Sequence, residues 1–231
     1  MRGRLVVFEG AEGAGKSTQI ALLMDALHGS GTAAATFREP GGTEVGDAIR
    51  RLLLDPASRM SAATEAHLFM ASRAELCRRE ILPALERGLM VVLDRFFLST
   101  YAYQVVGRGL PEEEIRAANR LATGGLVPDL TLLLDLPVSS GLARATARGV
   151  RDRIEQAADE FHVSVSSAFR EFADPAWVSA HAEAGPIVAV DGTGTREEVF
   201  SRVVDALVSH LPAEFGALAG RAAVAGSARR D

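Results

Sequence analysis

Eight consecutive residues constrain this chain more than any other feature. Gly10-Ala11-Glu12-Gly13-Ala14-Gly15-Lys16-Ser17 fits G-x-x-x-x-G-K-[ST], a pattern informative only where a strand runs into it and a helix leaves it. Both flanks are legible. Leu5 to Phe8 is a short β-prone apolar run, and Ile20, Leu23, Met24 and Leu27 recur at i, i+3, i+4 and i+7 beyond the glycines. A glycine-rich turn without a ligand is the plainer reading of such a stretch, and the strand and helix around it argue against that. In this context the glycines let backbone N–H groups wrap phosphates, Lys16 neutralises charge on the β and γ groups, and Ser17 is placed to ligate Mg²⁺. The predicted ligand is a nucleoside triphosphate, held along Gly10, Ala11, Glu12, Gly13, Ala14, Gly15, Lys16, Ser17 and Thr18.

The remaining apolar runs share one habit: each ends in a carboxylate. Leu89 to Leu93 stops at Asp94, Leu130 to Leu134 at Asp135 after the Pro128-Asp129 turn, and Ile187 to Val190 at Asp191 after Gly185-Pro186. Thr36-Phe37 gives a fainter fifth run. Thr195 and Glu198 form a capping box ahead of a helix with Phe200, Val203, Val204 and Leu207 on one face. Runs that are continuous rather than alternating, with helical patterns between them, predict strands covered on both faces, hence a parallel α/β sheet with ligands at the strands' carboxyl ends. The stretch from Pro212 to Asp231, rich in Ala, Gly and Arg, is expected to be a flexible tail.

Charge narrows the function classes. With 25 Lys and Arg against 30 Asp and Glu, the net charge of −5 leaves no global positive field for a nucleic-acid backbone, so any phosphate site is local. No nucleic-acid or membrane partner is expected: no uninterrupted apolar run reaches 18 residues, and the chain enters its first strand without a secretory-type leader, which favours a cytoplasmic location. The single cysteine, Cys77, has no internal disulfide partner and reads as a buried thiol in a reducing compartment.

A phosphate-binding loop does not by itself separate a kinase from a GTPase or a motor. No Asn-Lys-x-Asp segment is present, which weakens the GTPase reading. Arg38 in Arg38-Glu39-Pro40-Gly41-Gly42-Thr43 and Arg95 in Asp94-Arg95-Phe96 both follow strand positions, so two guanidiniums near one crevice suit a second phosphate-bearing substrate. Arg95 read alone also suits a surface charge.

Phe8-Glu9-Gly10 with the loop, Arg38 to Thr43, Asp94-Arg95-Phe96, Ser99 through Gln104, Pro128-Asp129-Leu130-Thr131 and Arg148 through Glu155 together resemble bacterial thymidylate kinases, in order and spacing up to about Leu211. The resemblance implies an α/β, three-layer P-loop kinase fold: a parallel five-stranded sheet flanked by helices over residues 1–211, with a small lid at about 148–156 and a tail over 212–231. It also implies ATP- and Mg²⁺-dependent phosphorylation of dTMP to dTDP, in a homodimer.

Position by position, Phe69 resembles the family's thymine-stacking aromatic and Arg73 its base-edge donor. One helical turn apart, ring and guanidinium share a face; a core role is the alternative for Phe69. Arg50 and Arg95 resemble the pair gripping the dTMP phosphate. Ser99, Thr100 and Gln104 belong to the segment beside the pyrimidine, and Tyr103 stands where an aromatic blocks a ribose 2′-hydroxyl. Glu9 stands where the family has an acid near the acceptor and the metal, a solvated strand cap being the alternative. Asp94 resembles the carboxylate that works with Ser17 on Mg²⁺, with Asp135 competing on pattern alone. Glu12 fills a loop position where some relatives carry arginine, which implies that the catalytic guanidinium comes from the lid: Arg153 first, then Arg148 and Arg151. A solvated basic helix end is the plainer reading of that cluster. Phe161-His162-Val163-Ser164 departs from relatives that carry arginines after the phenylalanine.

Overall fold

The computed structural model describes residues 2–147 and 152–218. Five strands, β1 (Leu5–Glu9), β2 (Ala34–Arg38), β3 (Met90–Asp94), β4 (Leu130–Asp135) and β5 (Ile187–Asp191), form one sheet in the order β2-β3-β1-β4-β5, every pairing parallel. All five expected runs are strands. Their continuous apolarity has a direct cause: Leu5 and Val7 enter one core, while Val6 and Phe8 enter the other on the opposite face.

Helices cover both faces. α1 (Lys16–Gly29) packs Ile20, Leu23, Met24 and Leu27 under the sheet. On the opposite side α2 (Glu44–Leu54) precedes α3 (Ala62–Leu76), which continues through a π-helical segment, Cys77–Ile81, into α4 (Leu82–Glu86). After β3 comes α5 (Phe97–Thr100), a second π-helical segment, Tyr101–Gly107, and α6 (Glu112–Thr123). α7 (Val138–Ala147) and α8 (Asp159–Glu171) bracket the lid region, and α9 (Pro175–Ala180) precedes β5. α10 (Arg196–His210) starts at the expected capping box: Thr195 Oγ1 accepts from Glu198 N at 3.2 Å, and Glu198 Oε2 accepts from Thr195 N at 2.8 Å.

Two expectations meet the structure differently. Folded chain extends past Leu211: α11 (Pro212–Phe215) and a short turn, Gly216–Leu218, bury Phe215 and Leu218 against α10, because those apolar side chains complete the α1-side core. The tail boundary therefore moves from 211 to at least 218, and the expected tail beyond it lies outside the described residues. Of the lid, Arg148 to Arg151 also lie outside them. Cys77 is fully buried and its thiol is pushed up to about 12 by that burial, as an unreactive core residue should be. No helix among the described residues is long and apolar enough to cross a membrane.

The register brings chemistry to one edge. Phe8 and Arg38 both pair with Asp94, and Glu9 pairs with Leu133, so Glu9, Arg38 and Asp94 all lie at the carboxyl ends of neighbouring strands. That is where an open parallel sheet binds its ligand.

Candidate active site

Between β1 and α1 the loop follows a path only glycine takes easily. Gly10 and Gly13 have φ of 138° and 73°; a Cβ there would meet Leu134 O at 2.6 Å and Gly141 O at 2.1 Å. Gly15, also left-handed, caps α1 without a side chain, which leaves the helix N-terminus and its N–H groups open to an anion. Lys16 is 7% exposed, and its Nζ donates to Gly10 O at 2.9 Å and Ala11 O at 3.0 Å. Burial, assisted by Arg95, pushes its pKa down to about 8 against the pull of Asp94, Glu12 and Glu9. The ammonium is thus stored against the loop it would leave for a phosphate.

Ser17 Oγ donates to Asp94 Oδ2 at 3.2 Å. Asp135, the competing carboxylate, pairs instead with Arg170 at 3.1 Å and does not line the cleft. A hydroxyl and one carboxylate at the mouth of a phosphate loop suit Mg²⁺, a hard cation that takes oxygen ligands and completes its shell with water and substrate phosphate. The described residues hold no cluster of three or more His, Cys, Asp or Glu that would make an all-protein metal cage.

The cleft, about 700 Å³, is continuous from Gly13–Thr18 to a second group of side chains. Phe69, half-buried on α3, lines it, and so do Arg50, Arg73, Arg95, Ser99, Thr100, Tyr103 and Gln104. Phe69 is therefore a wall residue, not part of the core. The π-helical turn after α5 presents Tyr103 and Gln104 on the same side as Ser99 and Thr100. Arg95, at φ 70°, donates to Gly10 O at 3.2 Å and Ser99 Oγ at 3.0 Å, lies 3.6 Å from Glu12, and stands over the Tyr103 ring at 5.4 Å. Burial works against its charge, but Tyr103, Glu12, Asp94 and Glu9 outweigh it and hold its pKa above the ordinary value. Arg50 is steadied by Pro40 O at 2.8 Å; burial and nearby Arg38 lower its pKa.

Two residues occupy different places from those the sequence suggests. Glu9 is fully buried and does not line the cleft: Oε1 accepts from Phe96 N at 2.7 Å and Ser99 N at 3.0 Å, and Oε2 from Ser99 Oγ at 2.7 Å. Burial raises its pKa, opposed by Arg95 and those bonds. Rather than a solvated cap or a cleft-facing acid, it shapes the turn that carries Arg95. Arg153 is also behind the cleft wall, its Nη2 on Glu65 Oε2 at 2.7 Å and its Nε on Leu53 O at 2.7 Å.

Several lining residues were not read from the sequence. Glu39, 5% exposed, pairs with Arg73 at 2.6 Å, and Arg73 also donates to Asn119 Oδ1 and to Phe96 O at 3.0 Å. Removing one partner of so buried a pair costs about 3 to 5 kcal/mol. A carboxylate next to a strand-end arginine was visible in Arg38-Glu39-Pro40, but its partner 34 residues away was not. Arg144 on α7 lines the cleft too, as do Asp152, Ile154 and Glu155 of the lid. Among the described residues, Glu39 Oε1 and Thr100 Oγ1 are buried polar atoms of this wall without a hydrogen-bond partner, acceptor and donor sites suited to a bound ligand.

Comparison with known proteins decides the family. The thymidylate kinase family model matches residues 8–190, nearly the whole sheet and the cleft. The chain belongs to the thymidylate kinase family. It is 42% identical over 227 residues to the thymidylate kinase of Trichodesmium erythraeum, covering 91% of this chain and 97% of that protein. Identity is 47% over 209 residues to that of a Synechococcus strain, covering 90% and 95%, and 43% over 202 residues to that of Deinococcus radiodurans, covering 87% and 95%. A chain of the thymidylate kinase family with its phosphate loop and cleft walls present is a kinase fold equipped for phosphoryl transfer.

Proposed function

We propose that this protein transfers the γ-phosphoryl group of ATP to dTMP, giving dTDP and ADP. The observation that carries the reading is a single cleft in which Glu12–Thr18 of the phosphate loop and the Phe69, Arg50, Arg95 and Tyr103 wall face the same space. In-line transfer needs a donor and an acceptor side by side and water kept out. A phosphate oxygen of dTMP attacks the γ-phosphorus, the bond to the β–γ bridging oxygen breaks, and ADP leaves.

Lys16 and the loop N–H groups hold the donor's phosphates, and Ser17 with Asp94 would hold Mg²⁺. When bound, that ion neutralises charge on the β- and γ-phosphate oxygens. Phe69 stacks on thymine, and Arg73 and Thr100 face the edges of the base. Arg50 and Arg95 fix the acceptor phosphate, while Glu9 acts through Ser99 and the turn at Phe96. Tyr103 fills the space a ribose 2′-hydroxyl would need, its ring braced by Phe161 at 6.0 Å and Phe169 at 6.3 Å. Gln104 orients the pyrimidine side of the wall.

With Arg153 tied to Glu65, we assign the transition-state charge to the cleft-lining Arg144 or to Arg148 or Arg151 of the lid. The reading further includes a homodimer working in the cytoplasm; Leu52 on α2 and Leu121 on α6, 54% and 83% exposed, are apolar side chains a subunit contact would cover. Light scattering on the purified chain tests the dimer.

The deciding experiment is ADP formation on addition of dTMP, dUMP, dCMP, dGMP or AMP. A pocket senses the thymine methyl with only about 1 to 3 kcal/mol, so dUMP is the competitor that matters. ADP formation that ignores dTMP overturns the proposal.

A further inference from the structure

Glu65 sits behind the acceptor wall, 2% exposed, one helical turn before Phe69 on α3. Its carboxylate gathers side chains from segments far apart in sequence. Oε1 accepts from Gln104 Nε2 at 2.9 Å and Arg108 Nε at 3.2 Å; Oε2 accepts from Arg108 Nη2 at 3.2 Å and Arg153 Nη2 at 2.7 Å. Arg153 is pinned again by its Nε on Leu53 O at 2.7 Å and its backbone N on Leu54 O at 3.0 Å. On the acceptor side Gln104 lines the cleft; on the lid side Ile154 and Glu155, next in sequence to Arg153, line it as well.

A carboxylate is planar and rigid, so its two oxygens move together. Any turn of the group that follows a shift of Gln104 at Oε1 also displaces the bond that Oε2 accepts from Arg153. Burial alone would raise the pKa of Glu65, but the bonds from Arg108, Gln104 and Arg153 more than offset it and keep the group ionised. The link therefore persists through the neutral pH range.

We propose that Glu65 is a positioning residue that couples filling of the acceptor pocket to seating of the lid at Arg153. The proposal rests on the reading of this cleft as a dTMP site. An acceptor nucleotide that fixes Gln104 fixes the carboxylate, which in turn holds Arg153 and, next to it, the cleft-lining Ile154 and Glu155 in place.

The test is tryptic cleavage of the Arg153–Ile154 bond in the full chain, followed by mass spectrometry with and without saturating dTMP. In the wild type dTMP slows this cleavage about tenfold, within the usual range of coupling between two sites. Glu65→Gln, which cannot accept at both ends, abolishes that ratio, lowers kcat and leaves the KM for ATP unchanged. A purely structural role speeds cleavage equally with and without dTMP; an unchanged ratio overturns the proposal. Should Glu65→Gln fail to fold, Gln104→Met keeps both arginines on Glu65, and retention of the dTMP ratio in that variant overturns the proposal as well. A wild type that makes ADP with dTMP but shows no protection refutes the coupling alone. Absence of both refutes the functional reading beneath it.

Discussion

Ser17 Oγ donates to Asp94 Oδ2 across 3.2 Å, joining the first turn of α1 to the end of β3. The two residues are 77 positions apart, and parallel pairing of β1 with β3 is what brings them together. Their oxygens share the mouth of the phosphate loop, where a divalent ion would bridge protein and triphosphate.

Asp94→Asn keeps an acceptor for Ser17 but removes the charge. We expect the Mg²⁺ concentration for half-maximal activity to rise by about 10- to 100-fold, the usual cost of disturbing a metal's supporting groups, with circular dichroism unchanged. A Mg²⁺ titration of dTMP-dependent ADP formation checks this. An unaltered Mg²⁺ requirement would return the metal role to another carboxylate.

The second prediction concerns pH and Lys16. Its pKa falls from 10.5 unfolded to about 8 in the folded, ligand-free chain. Between those values the unfolded chain holds a proton the folded one has released, so this group makes stability rise with pH across about 8 to 10.5, by on the order of 3 kcal/mol in all. Below 8 both states are protonated and the penalty is constant. Urea unfolding of wild type and Lys16→Met at pH 7.5 and pH 10 should show the difference moving in favour of the wild type at the higher pH. A difference independent of pH would mean that the ammonium is not desolvated as its burial implies.

What was legible in the sequence is what local chemistry determines. Leu5–Phe8, the glycines and the α1 stripe declare themselves within 25 residues, and Thr195 with Glu198 marks a helix start by the bonds it makes. Phe215 went unread as a core residue because one aromatic in an Ala- and Gly-rich stretch has no periodicity; only α10 and α1 behind it explain its burial. The π-helical turn that aims Tyr103 and Gln104 into the cleft follows from packing around Phe97, Phe161 and Phe169, which no short window contains. Glu65, Glu39 and Arg153 were opaque for the same reason: each acquires its role from a partner more than 30 residues away.

Phe69 provides the third prediction. Its ring is half-buried in the wall and four residues from the anchored Arg73. Stacking of a base on an aromatic contributes about 1 to 3 kcal/mol, so Phe69→Ala should raise the KM for dTMP about 5- to 150-fold and leave that for ATP nearly unchanged. Steady-state kinetics with each substrate varied separates the two. If both constants rise together, the ring supports the fold and not the base.

The last prediction concerns the source of positive charge during transfer. Glu12 occupies the loop, Arg95 is engaged by Gly10 O, Ser99 and Glu12, and Arg153 is committed to Glu65, whereas Arg144 is exposed and lines the cleft. A loose phosphoryl-transfer transition state spreads negative charge over the migrating group, and a guanidinium that meets it is worth about 10³ to 10⁵ in rate. If Arg144 is that group, Arg144→Ala lowers kcat and kcat/KM together by about 10² or more, the signature of a contact made only in the transition state. Arg144→Lys then recovers only part of the loss, since a point charge lacks the planar fork that grips two oxygens. Arg153→Ala, by contrast, should leave the Arg144 contribution to kcat intact. A loss in Arg144→Ala confined to the KM for ATP would make that residue a ground-state phosphate contact and leave the transition-state charge to Arg148 or Arg151.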